Sequence, residues 1–144
     1  MKTLLPAIKT ALHAHTIVTT DSDIYITPDV RWRPEGTGTP SIGIHDAGMQ
    51  REELAGEYWE MTATVELAAF VSLSSNGSDS ICGTSGLYAI LDAAVAILND
   101  NMLSVSGLIS IQVGNDSASS IVAEGDGLVT MTRTLIYTIE RSGA

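Results

Sequence analysis

Three histidines, one cysteine and a few glycine–hydroxyl turns carry whatever catalytic or metal chemistry this chain could perform. His13 and His15 lie two apart in a stretch of helical periodicity, about 200° apart around the axis, so they cannot share an ion. His45-Asp46 adds a ligand pair that nothing holds near the other histidines, and the spacing predicts no metal site. Asp21-Ser22-Asp23 and Glu124-Gly125-Asp126-Gly127 are carboxylate-rich turns, but neither has the long loop and distal bidentate glutamate of a calcium site. Gly83-Thr84-Ser85-Gly86 precedes a helix, yet it misses the G-x-S-x-G nucleophile spacing by one residue and reads as a helix cap. Cys82 stands just before that helix, where a thiol can be activated. A lone cysteine in an apolar setting is more often a packing residue. A small hydrolase using Cys82 or Ser85 with a histidine is the enzymatic alternative. Gly36-Thr37-Gly38 lacks the strand, helix and third glycine of a phosphate loop. Lysine occurs only at Lys2 and Lys9, which removes lysine-based phosphate and Schiff-base chemistry from the body of the chain. No cofactor is expected, and the chain is read as a non-enzyme.

Two basic features remain. Arg31-Trp32-Arg33 is the one basic-aromatic cluster, and Trp and Arg are the residues enriched at the centres of protein–protein contacts, so it is read as a subunit or partner contact. Arg133 is a charge on an otherwise apolar strand face. A buried arginine needs a partner. Glu66 or Glu60 would serve if the two long strands were neighbours with matching faces, and an ion pair between subunits is the alternative.

These residues hang on a recognisable set of elements. From Trp59 to Leu73 every second residue is apolar, which predicts one long strand spanning Glu57–Ser74. Fully extended it would reach about 55–60 Å, whereas a domain of this length is only about 30–35 Å across. The strand must bend or project as an arm, which makes Trp59 a contact residue. Leu4, Leu5, Ile8, Ala11, Leu12 and His15 share one helical face, predicting a helix over Thr3–His15, with Thr3 as cap and Pro6 in the first turn. Short strands follow at Ile24–Thr27 and Ile42–His45, separated by a connection holding three of the chain's four prolines. Asp46–Gly56 reads as an exposed loop, and Ser74–Asp79 as a turn. Leu87–Leu98 predicts a helix so apolar that it needs partners on more than one side. Thr84 or Ser85 would cap it and Asn99-Asp100-Asn101 would stop it, with Leu87 and Leu91 offered to a neighbouring subunit. A strand over Ile109–Val113, a polar loop Asn115–Gly127 and a Thr-rich strand Leu128–Glu140 complete the chain. Irregular connections favour antiparallel pairing. The expected fold is α+β: a mostly antiparallel sheet with two helices on one face and a long projecting β arm, in a single domain over residues 1–144.

Composition supports architecture over catalysis. The chain has 144 residues, 44% hydrophobic, with 17 acidic and 7 basic residues and a net charge of -10. That charge disfavours gripping nucleic acid through its phosphates. It suits a surface past which nucleic acid slides. One cysteine leaves no internal disulfide, which fits a reducing cytoplasm. No apolar run is expected to span a membrane.

The opening Leu-Leu-Pro-Ala-Ile-Lys helix, the Pro/Gly loop, the long strand from Tyr58-Trp59-Glu60-Met61, the Ala-rich helix Leu87–Leu98 and the closing Tyr137-Thr138-Ile139-Glu140 strand occur in an order that resembles a known family. The layout is similar to the tail-terminator (tail-completion) proteins of long-tailed bacteriophages, the minor tail protein U group. The resemblance covers nearly the whole chain, carries no short diagnostic motif and transfers no catalytic residues. It implies a virion protein of the tail–neck region, assembled in the host cytoplasm as a homohexameric ring. The ring would cap the tail tube, end its polymerisation and dock a head connector or stopper protein, with DNA crossing the lumen unbound. Another neck or head–tail connector component would leave almost the same sequence signature.

Overall fold

In the computed structural model, residues 2–14, 23–73, 77–100, 103, 105, 107–122 and 127–142 are described. The elements are α1 (Leu4–Ala14), β1 (Ile24–Thr27), β2 (Ser41–Leu54), β3 (Tyr58–Ser72), α2 (Gly77–Cys82), α3 (Leu87–Asp100), β4 (Leu108–Asp116), β5 (Ser120–Ile121) and β6 (Leu128–Ser142). The fold is α+β. Six strands form one sheet in the order β1-β2-β3-β6-β4, with β5 pairing the same edge of β6 beyond β4. All pairs are antiparallel except β1–β2.

Period-two burial builds the sheet's inner face. Ile42, Ile44, Met61, Ala63, Val65, Leu67, Ala69, Val71, Val129, Met131, Leu135, Tyr137 and Ile139 join one core with α1 and α3. α1 contributes Leu4, Leu5, Ile8, Ala11 and Leu12. It starts at Thr3, whose carbonyl accepts the Ala7 amide at 3.3 Å. α3 contributes Leu87, Ile90, Leu91, Ala94 and Leu98. Each fully buried Leu or Ile stabilises the core by about 1.5–3 kcal/mol. The Tyr137 hydroxyl is buried in this core, and burial pushes its pKa far up.

The connection from Pro28 to Pro40 must be long because β1 and β2 run parallel, and a parallel crossover needs about a dozen residues. This pairing departs from the antiparallel expectation. The connection crosses the sheet's second face as a strap and closes a small second core there. Arg33 lies over the Phe70 ring at 5.1 Å, and Trp32 meets Tyr25 edge-on at 6.3 Å. The strap is tied by Arg33 Nη2 donating to the carbonyls of Thr37 (3.1 Å) and Gly38 (2.7 Å) and by the Gly38 amide donating to Asp23 Oδ1 (2.8 Å). Gly43 lies under the Tyr25 ring: a Cβ there would stand 3.0 Å from Tyr25 Cε2 and 3.2 Å from Thr27 Cγ2. Strand propensity favours valine by up to about 1 kcal/mol, whereas overpacking costs about 1–3 kcal/mol. Gly43→Val is therefore expected to lower the melting temperature by about 5 °C; an unchanged melting curve would mean that the strap yields.

Several expectations change. Asp46–Leu54 is the outer half of β2, paired with β3 through Leu54↔Tyr58, and not a loop. One extra residue between Asp46 and Met49 makes a bulge at Gly48 (φ 115°), whose amide donates to Asp46 Oδ1 at 2.8 Å. The turn at Ala55–Glu57 takes positive φ at Gly56 and Glu57. The projecting part is three-stranded and short. The buried face of β3 ends at Met61 and that of β6 at Ile139, and the exposed tip comprises Arg51–Leu54, Tyr58, Trp59 and the end of β6. Gly77–Cys82 is helical where a turn was expected, while Ser74–Asn76 lie outside the described residues. Gly86, and not Thr84 or Ser85, opens α3, its carbonyl accepting the Ile90 amide at 3.1 Å. α3 runs through Asp100. β4 and β5 occupy part of the predicted loop Asn115–Gly127. His15, Asp21, Ser22, Asn101, Glu124, Gly125 and Asp126 lie outside the described residues.

Gly77–Asn99, taken as one segment of 23 residues, is long and apolar enough to cross a membrane by composition. The chain breaks it at Gly83–Gly86, where a Cβ on Gly83 would run into the Asp79 carbonyl, and α3 then packs on the sheet.

Candidate functional site

Arg133 sits on the inner face of β6, 7% exposed. Its Nε and Nη2 donate to Asp116 Oδ1 (2.8 Å) and Oδ2 (3.0 Å), and Nη1 donates to Asp92 Oδ1 (2.6 Å). The bidentate Asp116 is the largest cause of the raised guanidinium pKa, so the group stays charged. The cluster bolts α3, β4 and β6 together within one chain. The expected partners Glu66 and Glu60 are ruled out by parity. Arg133 pairs across the strands with Leu67, while Glu66 pairs with Thr134 and Glu60 with Glu140, so both glutamates point to the other face. No second subunit is needed to neutralise the charge. Leu87 and Leu91 are likewise core residues, 0% exposed, and present no surface to a neighbour. The outward side of α3 is Tyr88, Asp92, Ala93 and Ala96.

The remaining interface candidates stand at two separate places. Arg31 and Trp32 are exposed on the strap, with Trp32 at 47%. The Arg31 amide donates to Asp29 Oδ1 at 2.8 Å, and Arg33 is committed to holding the strap down. Trp59 is at the tip, on the other face, about 30 Å along β3 from the strap. It lies between its cross-strand partners Glu53 and Arg141. With Arg51, Met61 and Arg141 it lines a shallow hollow of about 270 Å³. Aromatic, methionine and arginine side chains together have the composition of a protein-contact centre. Tyr58, on the opposite side of the tip, is also exposed. On that side Glu52, Glu60 and Glu140 stand abreast on three adjacent strands. Like charges directly opposite one another cost stability, so folding alone does not account for this row.

Among the described residues, no histidine stands beside Cys82 or Ser85. Cys82 and Ser85 line an open groove of about 730 Å³ with Thr39, Ser72, Asp79 and Ser80, and its lining contains no histidine. His45 belongs to the sheet's second face, its Nδ1 3.5 Å from Glu66 Oε1. Among the described residues no group of three or more His, Cys, Asp or Glu is placed to hold a metal.

A virion chain has this fold. A chain of the virion of a native gene transfer agent particle superposes with a TM-score of 0.62 at 13% identity, over 97% of this chain and 96% of that one. No family model matches the chain, and none of the curated proteins does.

The sequence analysis named Trp59, Arg31, Trp32 and Arg33 as contact residues and did not name Arg51 and Arg141, which stand beside Trp59, or Asp116, which pairs with Arg133. Asp92 was visible as the sole charge in an apolar helix, the natural partner of the sole charge on an apolar strand.

Proposed function

We propose that this chain is a structural protein of a phage-like particle and works as a tail terminator. In this reading it forms a ring, six-fold by analogy with the family it resembles, that caps the tail tube, ends its polymerisation and offers its far side to the head connector. The observation that carries the reading is the end-to-end match of its fold to a virion chain. Two features support it. The tip carries Arg51, Trp59 and Arg141, contact-type side chains that its own core does not use. The row Glu52–Glu60–Glu140, in a chain of net charge -10, suits a lumen wall past which DNA slides without being held. Arg31 and Trp32 on the strap and Trp59 at the tip are the proposed contact residues. A head-to-tail cyclic arrangement leaves a passage, whereas a two-fold dimer does not.

Light scattering of the purified chain, alone and with tail-tube protein, tests this. Rings are expected at high concentration or on tube ends, together with arrest of tube growth. A chain that stays monomeric in both settings and leaves tube growth unaltered overturns the reading. Binding to connector protein without binding to tubes would make it a different neck component.

A further inference from the structure

Among the described residues the sheet has two free edges. β1 covers β2 only as far as Thr27↔His45, so among the described residues no strand pairs the outer side of Asp46–Leu54. At the opposite end β4, nine residues long, pairs β6 on one side and no described strand on the other. Asp46–Leu54 has the same length. β4 lacks lysine and proline, and Ile109 and Val113 are 51% and 42% exposed; its ladder with β6 is irregular only between Leu108 and Ser110 and between Val113 and Asp116.

The two edges are matched in level and direction. Cross-strand partners run in rows across the sheet. Val113, Leu135, Val65 and Asp46 make one row, and Ile111, Tyr137, Ala63 and Met49 make another, two steps along. Ser110, Thr138, Thr62 and Gln50 make a third, and Leu108, Ile139, Met61 and Arg51 a fourth. β4 and outer β2 are therefore side by side in height although they close opposite ends of the sheet. Three successive antiparallel pairings make β4 antiparallel to β2. Rotation about an axis along the strands preserves direction, so the next copy's β2 arrives antiparallel to β4.

Charge selects which edges meet. Asp46–Leu54 carries Asp46, Glu52 and Glu53 against Arg51 alone, so two such strands side by side would bring carboxylates together. β4 carries one charge, Asp116, already neutralised by Arg133. An uncharged edge accepts the acidic strand without that repulsion.

We propose that Leu108–Val113 of one copy pairs edge to edge with Asp46–Arg51 of the next, the stretch where the two free edges are level, so that the sheet runs on from subunit to subunit. The occupant of each edge is a second copy of this chain. The backbone ladder supplies affinity, and Ile109 and Val113 are covered at the seam. This rests on the ring reading and names the surfaces that close the ring.

Paired cysteines test it in the full-length chain with Cys82 replaced by serine. Ser110→Cys and Gln50→Cys are exposed substitutions on the same row, and circular dichroism confirms that each variant is folded. Under oxidising conditions the double variant is expected to give covalent dimers through to closed rings on a non-reducing gel. Its yield should exceed that of either single variant by at least about tenfold, since disulfides form only within a narrow Cα separation. Equal cross-linking by Ser110→Cys alone would mean that β4 pairs with β4, and overturns the proposal. Rings in light scattering with no cross-link from Ser110→Cys to cysteine at Gln50, Glu52 or Asp46 also overturn it, while leaving the ring reading intact. Absence of any assembly overturns both.

Discussion

Asp116→Ala is expected to lower the unfolding free energy by about 3 kcal/mol, the range found when one partner of a buried ion pair is removed. The mutation leaves the Arg133 guanidinium inside the domain with its two best acceptors gone. Asp92 remains, but its side chain is 68% exposed and its pairing is screened by solvent. A loss of this size corresponds to about 6–12 °C in melting temperature for a chain of this length. Asp92→Ala should cost under about 1 kcal/mol. The decisive comparison is the double variant Arg133→Met with Asp116→Ala. Removing the charge along with its partner replaces the ion pair by apolar packing and should recover most of the loss. Chemical denaturation of the parent, Asp116→Ala, Arg133→Met and the double variant measures this cycle directly. If Asp116→Ala melted within a degree of the parent, the cluster would contribute no net stability.

Trp59→Ala is expected to act on assembly and leave the fold alone. The indole lies beyond the last buried residue of β3, at 36% exposure, so its removal opens no cavity in the core. An aromatic anchor at a contact centre is worth about 2 kcal/mol or more, which is about thirtyfold in association. Light scattering should show the proposed ring shifted to higher protein concentration by that factor, with thermal melting unchanged. Trp59→Phe should recover part of the affinity, because the ring face is kept and only the N–H and some area are lost. A Trp59→Ala protein that assembles like the parent would remove the tip from the interface.

Much of this was legible in the chain itself, and what was not has a common cause. β3, the inner face of β6 and the span of α1 followed from periodicity, because each lies against one core with regular burial, while β1 was marked by its Ile-Tyr-Ile-Thr composition and the proline after it. Outer β2 was illegible. The bulge at Asp46–Met49 shifts the alternation by one residue, so Ile42, Ile44, Met49 and Arg51 share a face that no fixed period of two connects. The partners of Arg133 were hidden for a different reason. Whether Glu66 or Asp116 can reach it depends on register and parity between strands far apart in sequence, and a one-residue slip exchanges the faces. Leu87 and Leu91 were offered to a neighbouring subunit because an all-apolar helix looks over-provisioned. In the fold α1, α2, β3 and β6 surround α3, and only small residues, Tyr88 and Asp92 are left outside.

The extra residue beside Gly48 acts as a clutch between two halves of one strand. Upstream of it β2 carries the inner face on Ile42 and Ile44; downstream, residues of the opposite parity, Met49, Arg51 and Glu53, carry the same face on. Dropping the extra codon would close the bulge and leave Met49, Arg51 and Glu53 opposite Ala63, Met61 and Trp59, on the side they already occupy. What a lineage gains or loses with that codon is therefore bend and twist at the root of the tip, and not the choice of side chains shown there.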